Sequence, residues 1–324
     1  MLLAGDVGGT KTRLIFYTEQ GQALPDTEST YTSSDYPHLL DILRLYIQKH
    51  RQKLSRVVVG MPGPVNEGVV RVTNLHWVVS EAELSAGLGG VHVKLLNDLE
   101  ATAYGLEALG QEDLEVINEG LPNPAGNKAV IAPGTGLGEA ILFHYQGRHI
   151  ASASEGGHAD FAPRNLFEIK LLRYMMGKFG HVSYERLCSG LGIPYIYKFL
   201  RKSYPGREHP EVAEAIANTA DPTPIIVQAA LEYRSELCVE ALDAFVSILG
   251  SEAGNMALKV LASGGVYLGG GIPPKILPAI KDATFMTAFT DKGRFADFLR
   301  QTPVYVVLNE KTALLGSAQY GLKW

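Results

Sequence analysis

Apolar and polar positions along the chain alternate in short blocks that predict a strand-rich start and a helix-rich second half. "MLLAGD" reads as a short buried strand, and "TRLIFYT", just past a pair of glycines, reads as a second. Apolar residues at helical spacing in "DYPHLLDILRLYIQKHRQKL" predict a helix, and "RVVVGMPGPV" predicts a buried strand broken at Pro62-Gly63-Pro64. Ser80 with Glu83 forms a capping box opening a short helix; "HVKLLND" is then a strand and "LEATAYGLEAL" a helix. After about Gly110 the pattern starts again. "KAVIAPGTGLGEAILFHY" predicts two strands around a glycine turn and "GRHIASA" a third, after which helices dominate. "NLFEIKLLRYMMGKFG" is one helix, Gly190 to Ser203 another, and Asp221-Pro222 caps a long amphipathic run through Leu249. "GGVYLGGGI" and "PVYVVL" are the last strands, and "EKTALLGSAQYGL" is a C-terminal helix.

Strand, Gly/Thr turn, strand occurs twice, as "GDVGGTKTRLIFY" and "APGTGLGEAILFHY", which suggests two related halves facing each other. Chance similarity competes with that reading in a chain holding 35 glycines. With 324 residues, two lobes or one large α/β domain are expected, and with two lobes a cleft.

Composition narrows the class. Hydrophobic residues make up 46%, charged residues 19%, and the formal net charge is -5, as in an ordinary globular protein. Without a basic stripe interleaved with aromatics, nucleic acid is not an expected partner. Cys188 and Cys238 sit in no Cys/His cluster, so neither a disulfide framework nor a zinc site is expected and a reducing cytoplasm is the natural home. Neither a signal peptide nor a bilayer-spanning apolar run is recognisable, so no membrane association is expected.

Candidate chemistry concentrates at the glycine turns. Gly8, Gly9 and Thr10 with Lys11 can present backbone N–H groups, a hydroxyl and an ammonium to an anion. The spacing is neither that of a P-loop nor of a dinucleotide fingerprint, because a strand rather than a helix follows. A tight hairpin explains one such turn equally well. A second turn at Gly134 to Gly138, carrying Thr135, and a third at Gly269-Gly270-Gly271 favour phosphates and a nucleoside. Asp6, at a strand end, suits either Mg²⁺ held through water or the turn's own N–H groups. Asn97 and Asp98 stand where a strand meets a helix, and Asp98 fits either an N-cap or a base accepting a hydroxyl proton. "SEGGHADF" sets Glu155 and His158 around two glycines, and Glu185 precedes the Ser189-Gly190 break, where a helix's first turn also favours an acid. Several acceptors with few cations suit a ligand rich in hydroxyls, a sugar or polyol.

In order from Asp6 to Lys275, "GDVGGTKTRL", "LNDLEATAYG", "APGTGLGEA", "SEGGHADFAPR", "YERLCSGLGI" and "YLGGGIPPK" resemble the bacterial glucokinase family of the sugar kinase, Hsp70 and actin superfamily. The first turn is also similar to the ROK sugar kinases, but their Cys-rich zinc motif is missing, which favours the zinc-free branch. The resemblance implies an α/β, two-lobed ribonuclease H-like (actin-like ATPase) fold with ATP and sugar in the interlobe cleft. A small α/β domain of residues 1–109, completed by the C-terminal helix 310–324, and a large α/β domain of 110–309 with helical insertions are expected. Carried over by position, Asp98 would be the catalytic base on the 6-hydroxyl of glucose, with Asn97, Glu155, His158 and Glu185 as hydroxyl ligands and Asn74 lining the sugar pocket. Asp6, Gly8, Gly9, Thr10 and Lys11 would lie at the phosphates and Mg²⁺, Thr135 and Gly136 near the transferred phosphoryl group, and Gly270 and Gly271 near the nucleoside. The implied function is ATP-dependent phosphorylation of glucose entering glycolysis, by a cytoplasmic homodimer. Two other readings stand beside it. Sugar-responsive regulators carry a helix-turn-helix before the kinase fold, whereas here the phosphate turn begins at Gly5; an actin- or Hsp70-like ATPase would not need Glu155, His158 and Glu185.

Overall fold

A computed structural model describes residues 1–323, with the side chain of Thr73 outside the description. The strands are β1 (Leu2–Val7), β2 (Lys11–Tyr17), β3 (Ser29–Thr32), β4 (Arg56–Met61), β5 (Val69–Val72), β6 (Trp77–Ser80), β7 (His92–Asn97), β8 (Leu114–Asn118), β9 (Lys128–Pro133), β10 (Leu137–Tyr145), β11 (Arg148–Ser154), β12 (Val266–Leu268) and β13 (Val304–Val307). The helices are α1 (Leu39–His50), α2 (Glu81–Gly87), α3 (Asp98–Gly105), α4 (Leu166–Met176), α5 (Gly192–Ser203), α6 (Pro210–Ala217), α7 (Thr223–Leu231), α8 (Glu236–Val260), α9 (Leu277–Lys281), α10 (Ala283–Thr290), α11 (Ala296–Gln301) and α12 (Thr312–Lys323). Two compact units emerge: Met1–Asp113 with Ala140–Ala153 and Asn309–Trp324, and Leu114–Glu139 with Ser154–Leu308.

The first unit is built on a five-stranded sheet ordered β3-β2-β1-β4-β7. β1 pairs antiparallel with β2 and parallel with β4, and β7 continues the parallel part. Both faces are covered, which is why these strands read as near-continuous apolar runs. Leu3, Leu14, Phe16, Val57 and Val59 meet Leu39, Ile42, Leu43 and Tyr46 of α1 on one face. On the other, Leu2, Ala4, Ile15 and Val58 meet Ala101 of α3 and Leu314 and Ala318 of α12. Each fully buried aliphatic side chain removed from water contributes on the order of 2 kcal/mol.

Contact between α3 and α12 is close because small residues face each other. A Cβ on Gly316 would collide with the Ala101 carbonyl oxygen, and one on Gly105 with the Thr312 carbonyl oxygen. Gly60 meets the same pair of helices, with an ideal Cβ 3.1 Å from Ala101 Cβ and 3.5 Å from Ser317 Oγ. Ser317 Oγ donates to Gly5 O at 2.8 Å, tying α12 to β1.

In the second unit β9, β12, β13 and β8 lie side by side in that order, parallel except for β8. Its core is α8, 25 residues long and buried around most of its circumference. Gly250 and Gly254 on α8 let the backbone of α10 approach, since Cβ atoms there would meet the carbonyl oxygens of Phe285 and Phe289.

The amphipathic run from Asp221 to Leu249 is two helices rather than one. Tyr233 takes a left-handed φ of 55°, Arg234 N–H returns to Ala229 O at 2.9 Å, and Ser235 then caps α8 by accepting from Cys238 N–H. The short strands β3, β5, β6 and β8 add to those expected, as does the helical series from α9 to α11. Among the described residues no helix is long and apolar enough to cross a membrane.

Gly316→Ala is expected to cost about 2 kcal/mol or more by forcing α12 off α3, lowering the melting temperature by roughly 5 °C in a calorimetric scan. Gly271→Ala, which has open space and no left-handed φ, should leave the transition unchanged. Equal melting temperatures for both variants would refute the close-packing argument.

Candidate active site

In the first unit, β1 and β2 are joined by Gly8, Gly9 and Thr10. Gly8 N–H donates to Lys11 O at 2.7 Å, while Ser33 braces the turn through its N–H to Thr10 O at 2.9 Å and its Oγ to Gly8 O at 3.0 Å. Neither Gly8 nor Gly9 adopts a left-handed φ. An ideal Cβ on Gly9 would meet nothing nearer than Asn74 Nδ2 at 3.9 Å. Turn chirality therefore does not call for these glycines; the Gly8 N–H is spent inside the turn, and the lack of a side chain at Gly9 leaves the backbone there approachable by an anion. Thr10 and Lys11 are exposed beside them, and the Asn74 amide lies close to this turn.

Asp6, half-buried near the end of β1, pairs in register with Arg13 on β2. Burial pushes its carboxyl up to about 6, against the opposing pull of the Arg13 charge.

β7 runs directly into α3, and Asn97 is the cap. Its Oδ1 accepts from Leu99 N–H at 2.9 Å and Glu100 N–H at 3.2 Å, while its Nδ2 donates to Gly63 O at 3.0 Å. Asn97 thereby has most of its hydrogen-bonding capacity committed to the chain, with one amide hydrogen to spare. Asp98 is the first residue of the helix, not its cap; Leu99 N–H also reaches its Oδ1 at 2.9 Å. A half-buried carboxylate in the first turn is further favoured by the helix dipole.

The second unit brings Glu155, His158 and Glu185 together. Glu155 opens the single turn Gly156–His158, closed by His158 N–H to Glu155 O at 3.0 Å. That turn is laced to the next segment by Glu185 N–H to Gly157 O at 2.9 Å and Tyr184 N–H to Ala159 O at 3.0 Å. The Glu185 carboxylate accepts from Leu137 N–H at 3.1 Å through Oε2 and stands 3.9 Å from His158 Nδ1 through Oε1. An ideal Cβ on Gly136 would lie 2.5 Å from Glu185 Oε2, so glycine there admits the carboxylate.

Thr135 is exposed on the turn that Gly134 N–H closes onto Gly136 O at 2.8 Å. Gly270 has a backbone reason to be glycine, a φ of +79° with its Cβ position 2.5 Å from Pro133 O, whereas Gly271 faces open space. Gly134, Thr135 and Gly271 share a cavity of about 380 Å³ with Leu191, Ile272 and Asp221. Apolar walls with a few convergent polar groups are the makeup of a small-molecule pocket. Sequence reasoning missed Asp221, Thr223 and Lys275 on its wall. Asp221 had been legible only as a cap: its Oδ1 does accept from Thr223 N–H at 3.0 Å, and Thr223 Oγ1 in turn donates to Gly190 O at 2.7 Å.

With both sets of side chains placed, similarity to known proteins decides the family. The family model described as Glucokinase matches residues 3–323. The chain belongs to the glucokinase family. A glucokinase from Nostoc punctiforme is 39% identical over 98% of this chain and 98% of its own, and one from Synechocystis sp. is 40% identical over 98% and 96%. The crystal structure of a glucokinase from an Antarctic psychrotroph superposes with a TM-score of 0.85 at 30% identity, covering 98% of each chain. The fold is accordingly α/β of the actin-like ATPase class, and family membership makes the chain an ATP-dependent sugar kinase.

Because burial holds the Asp6 proton, the folded protein binds it more tightly than the unfolded chain does. The stabilisation this provides is full below the ordinary value of 3.8 and is lost as pH rises through about 6. Asp6→Asn should therefore raise stability at pH 7.5 by about 1–2 kcal/mol, less than the full shift because the carboxyl keeps some solvent contact. That gain should shrink at pH 5. Thermal melts at both pH values check it, and a gain independent of pH would contradict the assignment.

Proposed function

We propose that this chain phosphorylates D-glucose at O6 with ATP, and that Asp98 is the general base. The observation that carries the role is the division of labour at the start of α3: Asn97 supplies the cap, so Asp98 is not required as one. Asp98 accepts the proton of the 6-hydroxyl as O6 bonds to the γ-phosphorus, and ADP departs with the electron pair of the broken bond. Geometry and electrostatics provide most of the acceleration in such transfers, so the other residues act by holding and orienting.

Glu155, His158 and Glu185 receive sugar hydroxyls in this reading, with Asn97 offering its remaining amide hydrogen and Asn74 a further contact. Gly9, Thr10 and Lys11 donate to phosphate oxygens with Gly8 shaping the turn beside them, Thr135 and Gly136 lie near the transferred group, and Gly270 and Gly271 border the nucleoside, whose base suits the apolar walls beside Leu191 and Ile272. Asp6 is an oxygen donor whose charged form burial disfavours, and it fits Mg²⁺ retained through water. Bound with ATP, Mg²⁺ supplies neutralisation of phosphate charge. A homodimer in the cytoplasm, feeding glycolysis, completes the proposal on the strength of the family resemblance and of two free, buried cysteines.

Asp98→Asn is expected to lower kcat by about 10²- to 10⁴-fold while glucose affinity, measured by titration calorimetry, stays near that of the parent protein. Turnover retained in the variant would remove Asp98 from the role.

A further inference from the structure

Glu139 lies on β10, fully buried, and among the described residues neither of its carboxyl oxygens has a hydrogen-bond partner. A buried carboxyl in that condition calls for an explanation, since leaving it ionised without donors would be costly. It is packed against Gly156: a Cβ on that residue would collide with Glu139 Oε2, so glycine there admits the carboxyl as it stands. Gly156 begins the turn that carries Glu155 and His158.

We propose that Glu139 is a positioning residue for glucose binding, acting through Gly156 to set the turn that presents Glu155 and His158. This rests on the reading of that turn as part of the sugar site. The surroundings explain why the acid is suited to the role. Glu252 on α8, equally buried, accepts from Asn255 Nδ2 at 2.8 Å and is paired with Lys259 at 3.2 Å, so these donors serve it rather than Glu139. Tyr184 shares that group, since its hydroxyl accepts from Asn255 Nδ2 at 3.0 Å and it bonds Glu252. Cys188 is buried alongside, its thiol pushed up by burial and then by Glu252 and Glu139. Burial first, then repulsion from Glu252, raises the Glu139 carboxyl to about 7, with Lys259 opposing.

Neutral Glu139 fills the space under Gly156 and, uncharged, is far less costly to leave without donors than its carboxylate. Ionised Glu139 needs donors, and the turn offers the Ser154 hydroxyl and the Gly156 N–H, which at present donates to Ser154 Oγ at 3.0 Å. Drawing either of them toward the carboxylate reshapes the Glu155–His158 turn. The neutral acid therefore holds the turn in the form seen, and its loss weakens the grip on the sugar rather than the chemistry at Asp98.

The test is the pH dependence of glucose KM and kcat from pH 6 to 8.5 for the parent protein and for Glu139→Gln, an isostere of the neutral acid. The expected result is a KM that rises several-fold through about pH 7 in the parent and stays nearly flat in Glu139→Gln, with the difference confined to KM. Glu139→Met, which keeps volume without a titrating group, should also be flat and serves if the amide variant does not fold. Superimposable KM profiles, or a change in kcat with KM unmoved, would overturn the proposal. Glu155→Gln separates the two layers of inference. If it raises glucose KM while the Glu139 profiles coincide, the positioning role alone fails; if it leaves KM unmoved, the sugar reading of the turn fails and takes this proposal with it.

Discussion

The Ala101 carbonyl occupies the place where Gly316 would carry a side chain, and the rest of the first unit's chemistry depends on that contact. It lets α12, the last helix of the chain, lie against α3, the helix that begins at Asp98. With Ser317 hydrogen-bonded to Gly5 and Gly60 packed against Ala101, the start of α3 is held relative to β1 and β4, the strands that end at Val7 and Met61. A proton acceptor in phosphoryl transfer is useful only if its carboxylate is held to a few tenths of an ångström. For Asp98, proposed as that acceptor, α3 is held by close backbone contact where Gly60, Gly105 and Gly316 leave out the side chains that would intervene.

Acids that the fold does not neutralise make up the second constraint. Asp6 and Glu139 are each raised by burial, the first opposed by Arg13 and the second pushed further by Glu252. Both cost the folded protein stability above their raised values, a cost typical of sites kept for function. In each case a neighbouring cation relieves the cost only in part, since Arg13 is itself engaged with Glu310 at 3.5 Å and Lys259 is paired with Glu252.

Much of this was legible in the sequence where the signal was physical and local. Buried strands announced themselves as apolar runs because both faces of the first sheet are covered, and Ser80 and Asn165 cap the helices where the pattern begins. Other features were hidden for identifiable reasons. β8 is only partly buried along its length and so lacks an apolar signature. The break at Tyr233 depends on a left-handed residue that is not glycine, which leaves the helical period uninterrupted. Asn97 and Asp98 are both good capping residues, and only the hydrogen bonds tell which one caps. Glu139 inside "GTGLGEA" carries no signal of its own, since nothing in a linear pattern reveals a carboxyl buried against a glycine from another segment. The pocket residues Asp221, Thr223 and Lys275 are scattered along the chain, and folding alone assembles them.

The central claim is that glucose is the acceptor and ATP the donor, with water excluded from that role. ADP release by the purified protein with Mg-ATP, measured alone and with glucose, mannose, fructose or N-acetylglucosamine in turn, tests it most directly. The account predicts ADP release that depends on glucose and is stoichiometric with glucose 6-phosphate. Release at the same rate with no sugar present would contradict it and place the chain among nucleotide-driven ATPases instead.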